Sequence, residues 1–412
     1  MTSAPTIAVM GTFDTKGEEH LFLKNAIEAR GLSTLTLNIG TRIPSRVEVD
    51  IDLFASRDPA PDNRQNDRDK AIGAMRRRAR GKIHSLYDEG QIQAVISAGG
   101  GSGTHLCTGI MRVLPLGVPK VMVSTVASRD MNPIVGTKDI TMMHSVADLL
   151  GINRISGVIL DQAAAAVCAM AQSRWVPEKK GKRIALSFFG FITTAAEQVK
   201  ACLEEMGYEV IAFHANGTGG MALEELASEG YFDGILDLAT HELADALMDG
   251  YCGNIGPERF EPVPHASIPR LIVPGGLDCA VLEFTRRQIP PACKDRQIFF
   301  YDFRSAIRLN RKESDTLARQ LARKLNQAPG QVKVVNPGGG WSVADHPDGP
   351  LYAPEINNAF MATFTQQLDP CIDILTSEYH INDPAFARLI GNEMDAMVRA
   401  ASKESRKNDP CQ

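Results

Sequence analysis

Short apolar runs, rich in β-branched residues, alternate with longer helical patterns along nearly the whole chain. The runs read "TIAVM" from residue 6, "STLTLN" from 33, "QAVIS" from 93 and "KVMVST" from 120. A second series follows: "RIALSFF" from 183, "EVIAFHA" from 209, "FDGILDLA" from 232, "RLIVPG" from 270, "QIFFYD" from 297 and "VKVVNP" from 332. Strands that are apolar without alternation are covered on both faces, so the pattern predicts an α/β fold with parallel sheets between helices. Near residue 176 the composition breaks into "VPEKKGK" just before a new strand, which predicts two lobes, residues 1–178 and 179–412. At 412 residues the chain is long enough for each lobe to bury a core of its own.

The two lobes read alike at their first strand-to-helix junctions. "VMGTFDTKGEEH" carries Gly11, Thr15 and Glu18, and "SFFGFITTAAEQ" carries Gly190, Thr194 and Glu197 at the same spacing. In each, a Thr three residues before a Glu is expected to form a capping box at a helix start. The second strands end alike as well, with Asn38 and Asn216 at their tips. A duplication of one α/β unit accounts for these matches.

The densest candidate chemistry is "SAGGGSGT" after "QAVIS", where Gly99, Gly100, Gly101 and Gly103 surround Ser102 and precede Thr104. Ligands of open parallel sheets bind beyond the carboxyl ends of the strands, where helix N-termini also point. Glycines there leave backbone amides free to approach an anion, and the following helix supplies unpaired N–H groups. The stretch reads as an anion cradle for phosphate, with Thr104 as a cap or an oxyanion ligand; the alternative is a tight turn with no ligand. Neither GxxxxGK[ST] nor GxGxxG fits, because Thr104 stands at the sixth position in both. Equivalent strand ends supply Thr12, Asp14, Thr15 and Lys16, and Thr125, Ser128, Arg129 and Asp130. Lys16 is the expected cation for phosphate, and Asp14 either holds magnesium through water or forms an Asx turn.

In the second lobe the strand ends carry Thr193 and Thr194; Asn216, Gly217, Gly219 and Gly220; Thr240, His241 and Glu242; and Gly275, Gly276 and Asp278. Small, hydroxyl and amide groups of this kind suit an oxygen-rich ligand. His241 and Glu242 resemble half of a zinc-binding helix, but Asp245 stands where a second His is needed, so no firm metal set emerges. No GxSxG elbow occurs and no cysteine has a His at catalytic spacing, which removes support for covalent hydrolysis. Asp14, Lys16, His241 and Glu242 remain the candidate polar actors of any reaction, with roles left open. "RRRAR" at 76–80 reads as the solvated face of a helix. The Gly- and Pro-rich segment 336–355 is long enough to be functional or mobile, and the charged tail 401–412 is expected to fray.

A net charge of -5 removes the general electrostatic attraction to nucleic acid or anionic membranes. The eight cysteines are scattered without a CxxC pair, and no secretory segment opens the chain, which together point to a reduced, cytoplasmic setting. The most apolar long stretch, "ISGVILDQAAAAVCAMA", is interrupted by Asp161 and Gln162 and is expected to be a packed helix rather than a membrane span.

Taken in order, "GTFDTKGEE", "SAGGGSGT", "VSTVASRD", "ITMMHSVADLLGINRIS", "GFITT", "HANGTGG", "LDLATHELAD", "VPGGLD" and "NPGGGWSVADHPDGPLY" resemble the Tm-1-like ATP-binding family, typified by the ATP-binding domain of the tomato mosaic virus resistance protein. The resemblance spans nearly the whole chain and departs at Phe13 and Phe191, which bear on pocket shape. It implies two Rossmann-like parallel-sheet subdomains with a cleft between them, ATP with magnesium held between the lobes, and a homodimer. It would place phosphates near Gly100 to Thr104 and near Thr15 and Lys16. The plant relative continues into a barrel similar to phosphoenolpyruvate hydrolases, which here would be a separately encoded partner. Three functions follow as expectations: an ATP-dependent enzyme acting on a small carboxylated metabolite, a nucleotide-gated interaction module, or a lyase or isomerase using the same cradle for a metabolite anion.

Overall fold

The computed structural model describes residues 4–45, 47–54, 66–173, 175, 176, 178, 181–263 and 266–407. The chain divides into two compact units, residues 1–177 and 178–412.

In the first unit the elements run β1 (Thr6–Gly11), α1 (Gly17–Glu28), β2 (Ser33–Asn38), β3 (Ile51–Asp52), α2 (Asn66–Asp88), β4 (Ala94–Gly99), α3 (Gly101–Met111), β5 (Lys120–Ser124), α4 (Asn132–Val135), β6 (Ile140–His144) and α5 (Arg154–Ala171). The six strands pair in parallel in the order β3-β2-β1-β4-β5-β6. Because side chains alternate along a strand, Ile7 and Val9 of β1 face one layer while Ala8 and Met10 face the other. The first pair packs with Leu23 and Ile27 of α1 and Leu160, Ala163 and Val167 of α5. The second packs with Met75, Ala79 and Ile83 of α2 and Leu106 and Ile110 of α3. α5 is the one helix among the described residues long and apolar enough to cross a membrane. Its buried stripe lies on the sheet instead. In "RRRAR", Ala79 is buried and Arg77, Arg78 and Arg80 are exposed, as a solvated face requires.

The second unit runs β7 (Arg183–Phe188), α6 (Thr193–Glu205), β8 (Glu209–His214), α7 (Thr218–Ser228), β9 (Gly234–Ala239), α8 (Glu242–Met248), β10 (Arg270–Gly275), β11 (Cys279–Leu282), β12 (Ile298–Phe300), β13 (Ser305–Arg308), α9 (Arg311–Leu325), β14 (Val332–Pro337), α10 (Pro354–Gln367), β15 (Asp373–Ser377) and α11 (Pro384–Lys407). Six parallel strands pair in the order β15-β14-β10-β9-β7-β8. In both units the first strand lies between the second strand and the next long one, the arrangement a duplicated unit would show. α6 and α11 cover one face through Val199, Leu203, Phe386, Ile390 and Met394. α9 and α10 cover the other through Leu317, Leu321, Phe360 and Phe364.

Several local expectations are corrected. "QIFFYD" does not join the parallel sheet: its centre is β12, in a separate antiparallel sheet with β13 and β11. Neither expected capping box forms. The Thr15 hydroxyl turns back onto Thr12 Oγ1 at 3.1 Å, in a turn closed by Thr15 and Lys16 N–H groups on the Thr12 carbonyl, so Lys16 becomes the N-cap of α1. α6 starts at Thr193, whose hydroxyl bonds the Gly190 carbonyl, which leaves Thr194 exposed inside the first turn. True capping boxes occur at Asn153 with Ser156 and at Asn310 with Glu313. The segment 336–355 is held in the core, with Trp341 2% exposed, its indole N–H on Asn336 Oδ1, and Ser342 Oγ on Asp278. The tail continues α11 as far as Lys407; Cys411 and the rest of the expected fray lie outside the described residues.

Candidate functional site

In the first unit the strand order reverses between β1 and β4, the place where open parallel sheets leave a crevice at their carboxyl ends. An open cleft of about 340 Å³ lies there. Three loops line it: Thr12, Asp14, Thr15 and Lys16 after β1; Gly99 to Gly103 after β4; and Thr41 and Arg42 after β2, with Ile72 and Leu106 as an apolar wall.

α3 begins at Gly101, with Gly100 as an extended N-cap that offers no side chain. The first helical turn leaves donors without intrahelical partners. Thr104 N–H is paired with the Gly100 carbonyl at 2.7 Å, but the N–H groups of Gly101, Ser102 and Gly103 have no partner among the described residues. No acidic residue stands in this turn to oppose an incoming anion. Lys16 and Arg42 supply positive charge; the Lys16 ammonium lies 3.9 Å from Glu19.

The glycines of this loop divide into two kinds. A Cβ on Gly99 would stand 3.2 Å from the Gly103 Cα and 3.3 Å from the Thr104 nitrogen, so close packing of helix on strand demands glycine there. A Cβ on Gly100 or Gly101 would make only ordinary contacts, at 3.8 and 3.9 Å, and one on Gly103 would meet nothing within 4 Å. None of the three has a positive φ. The fold therefore does not require glycine at 100, 101 or 103.

Thr104 neither caps nor faces the cleft. It is fully buried, its hydroxyl 2.7 Å from Ser124 Oγ, and it ties α3 to the end of β5. Asp14 makes no Asx turn: its carboxylate accepts the Arg42 N–H at 3.1 Å, which draws the loop after β2 over the cleft. Asn38 Oδ1 accepts the N–H groups of Phe13 and Gly40, fixing both loops at the tip of β2. Thr125 stands 3.8 Å from the position of a Gly100 Cβ, while Ser128 is exposed farther along; neither lines the cleft. Phe13 packs into the core against His20, at 5.1 Å between ring centroids, and leaves the cleft shape untouched.

His20, which the sequence did not single out, clamps the two main loops. Its Nδ1–H donates to the Lys16 carbonyl at 2.6 Å and its Nε2 accepts the Ala98 N–H at 3.3 Å. Complete burial lowers its pKa from 6.5 to about 4, so the imidazole is neutral as this pairing needs. A Cβ on Gly11 would fall 1.9 Å from the His20 ring, which explains the glycine that ends β1.

In the second unit the equivalent reversal lies between β7 and β9, and side chains fill it. Phe189 stacks on His241 with centroids 3.7 Å apart, and Phe191 packs on Phe189, Phe299 and Tyr301. The glycines expected to face a ligand here are required by packing. A Cβ would meet backbone or ring atoms at 2.6 Å on Gly217, 2.0 Å on Gly219, 2.0 Å on Gly275 and 2.2 Å on Gly276, and the Glu242 carboxylate at 2.5 Å on Gly220. Asn216 accepts the Gly219 N–H, and the Thr240 hydroxyl bonds the Val273 carbonyl. Glu242 is fully buried, bonded to Arg259 Nε at 2.8 Å and to the Gly217 N–H at 2.8 Å. Arg259 also meets Asp237 at 2.6 Å and Glu224 at 3.0 Å, and Arg270 bridges the same two carboxylates. A guanidinium so surrounded keeps its charge, and the Glu242 role is to hold this lattice together.

Comparison with known proteins assigns the family. The profile described as "Uncharacterised protein family (UPF0261) N-terminal domain" matches residues 5–175, and the corresponding C-terminal domain profile matches residues 181–398. The chain belongs to the UPF0261 family. It is 34% identical over 402 residues to the UPF0261 protein of Clostridium tetani, covering 95% of this chain and 98% of that one. It is 30% identical over 420 residues to the ToMV resistance protein Tm-1 of Solanum lycopersicum, covering 94% of this chain and 55% of the tomato protein. Among solved structures, MurG of Acinetobacter baumannii aligns over 97% of this chain and 99% of its own at 12% identity, but a TM-score of 0.23 is too loose a similarity to inform on activity. The open cleft thus belongs to the UPF0261 N-terminal domain, and the filled reversal to the C-terminal one.

Sequence reasoning passed over Thr41, Arg42, Ile72 and Leu106 of the cleft lining, and the buried His20 that clamps its loops. "IGTR" directly follows the tip of β2, so Arg42 could have been placed by the strand-end argument used for Lys16.

Proposed function

We propose that the UPF0261 N-terminal domain binds the phosphate groups of a nucleotide, ATP with magnesium, on the start of α3. The observation that carries this reading is the trio of N–H groups at Gly101, Ser102 and Gly103 that have no partner among the described residues, in a loop where the fold itself does not require glycine at 100, 101 or 103. Free amides at a helix N-terminus, in a glycine loop at the strand-order reversal, favour a bound anion. Lys16 and Arg42 add the charge a polyphosphate needs, and Asp14 is, among the described residues, the one carboxylate lining the cleft that could hold a magnesium ion with it. The choice of ATP rests on the resemblance to the Tm-1-like ATP-binding family.

Calorimetric titration of the full chain with ATP, with and without magnesium, tests it. Micromolar affinity is expected, about 8 kcal/mol, and Lys16→Ala and Arg42→Ala are each expected to weaken it roughly ten-fold or more. Absence of heat with ATP, ADP and inorganic phosphate from folded protein overturns the reading. Equal affinity for phosphate and ATP would leave only a small-anion site. Phosphate release in the presence of a carboxylated metabolite marks an ATP-dependent enzyme, whereas tight binding without turnover marks a nucleotide-gated interaction module.

A further inference from the structure

The filled strand reversal of the second unit contains a group of side chains with unused binding capacity. His241 is the N-cap of α8 and Asp245 follows one turn later on the same face. Cys252 comes back to them because Asp249 takes the left-handed conformation (φ 53°) that ends α8. The Gly250 N–H then bonds the Asp245 carbonyl at 2.7 Å, and the Asp245 carboxylate accepts the Cys252 N–H at 2.8 Å and the Val281 N–H at 2.7 Å. Gly250 and Gly253 permit this wrap, since a Cβ on either would come within 3.0 Å of Asp245. One ligand atom from each of His241, Asp245 and Cys252 lies within 4.8 Å of the other two, and all three residues are buried.

Among the described residues, two features of this group point to a cation, one of them a pair of nitrogens with no partner and the other a carboxylate offset by N–H bonds rather than by a basic side chain. Neither ring nitrogen of His241 has a hydrogen-bond partner among the described residues, although the ring is fully buried. Buried polar nitrogens are ordinarily paired. Asp245 also has no Lys or Arg within 4.0 Å among the described residues, whereas the other fully buried carboxylates of this unit, Asp237, Glu242, Asp278 and Asp345, each face an arginine. A cation in contact with both would answer each deficit.

We propose that His241, Asp245 and Cys252 form a site for a divalent transition metal of the zinc class. An imidazole nitrogen, a carboxylate oxygen and a thiolate sulfur are the donor types zinc takes, and tetrahedral bonds of 2.0–2.3 Å put ligand atoms roughly 3.5 Å apart. Starting within 4.8 Å of one another, the three ligand atoms would draw together by up to about 1.3 Å to meet this. Three protein ligands leave a fourth position for water or a small ligand. Asp245 provides the donor that a second His provides in a paired-histidine zinc helix. Glu242, which follows His241, is taken up by Arg259 and plays no part. Burial keeps the His241 ring in its neutral, ligating form, with a pKa lowered to about 3, but raises Asp245 to about 7 and the Cys252 thiol well above its usual range, so metal binding would release protons from both. A bound cation would favour the deprotonated forms of the last two. All three ligands belong to the second unit.

The test is titration of the full chain, stripped with chelator and dialysed, with Co²⁺ followed by absorption. The expected result is a thiolate-to-cobalt charge-transfer band with intense d–d bands, saturating at one equivalent and displaced by one equivalent of Zn²⁺. Cys252→Ser is expected to lose the charge-transfer band while keeping the circular dichroism of the wild type. His241→Gln, which retains the sulfur, is expected to lose saturation at one equivalent and covers the case in which Cys252→Ser does not fold. Folded wild-type protein without a charge-transfer band in excess Co²⁺ overturns the proposal, as does a band that survives in Cys252→Ser.

Discussion

Replacing Gly103 by alanine separates what the fold needs from what a ligand needs. Gly103 is the third residue of α3, has no positive φ, and a Cβ there meets nothing within 4 Å. Alanine is favoured over glycine inside a helix by about 0.8–1.0 kcal/mol. For a unit of this size that corresponds to a melting temperature unchanged or raised by roughly 2–4 °C. The new methyl can occupy only the cleft that Gly103 lines. Displacing a phosphate from one charged hydrogen bond forfeits about 1.5–3 kcal/mol, a loss of roughly ten- to hundred-fold in affinity. Gly99→Ala is the control: its Cβ presses on backbone at 3.2 and 3.3 Å, so this variant is expected to lose about 1–3 kcal/mol of stability. The assay is thermal unfolding beside calorimetric titration with ATP on all three proteins. A melting temperature for Gly103→Ala several degrees below the wild type, or an unchanged affinity, refutes the division of the loop into packing and ligand-facing glycines.

Thr104→Val removes a buried hydroxyl from Ser124 and is expected to lower stability in urea by about 1–2 kcal/mol while leaving ATP affinity intact; a large affinity loss in folded protein would place the hydroxyl in the ligand site. Arg259→Leu leaves Glu242 buried without a cation and Asp237 and Glu224 with Arg270 alone, so a loss of about 3–5 kcal/mol is expected, and one below about 1 kcal/mol contradicts the lattice described. His20 titrates at about 4 in the folded chain against 6.5 when exposed, so the unfolded state binds the extra proton between these values. Its stabilisation is complete above pH 6.5 and fades as the pH falls toward 4, by roughly 3 kcal/mol in all. His20→Gln is expected to flatten that part of the stability profile, and an unchanged slope would contradict the neutral clamp.

Strand periodicity reads parallel sheets well because their strands are uniformly apolar: "QAVIS" and "RLIVPG" announce β4 and β10 directly. It reads short or half-covered strands poorly. β3 has two residues, β15 is partly exposed on both faces, and β12 gains its pairing from β13 in an antiparallel insertion. Capping residues were misread for a related reason, since a Thr followed by Glu at the right spacing does not say whether its hydroxyl will turn toward the helix or back onto Thr12. In the site, the chain order of loops at strand ends sufficed to bring Asp14, Lys16 and Gly99 to Gly103 together. What a string of letters lacks is the neighbour of each glycine. "SAGGGSGT" and "HANGTGG" look equally suited to a ligand, yet the glycines of the second are pinned by His214, Asn254 and Glu242, and three of the first face open space or ordinary contacts.

The most direct measurement is a crystal structure of the full chain grown with ATP and magnesium. The account predicts phosphate oxygens within about 2.7–3.2 Å of the Gly101, Ser102 and Gly103 amide nitrogens, with Lys16 and Arg42 turned toward them and Thr104 still bonded to Ser124. A triphosphate bound elsewhere on the chain, or a cleft that stays free of nucleotide at millimolar ATP, contradicts it.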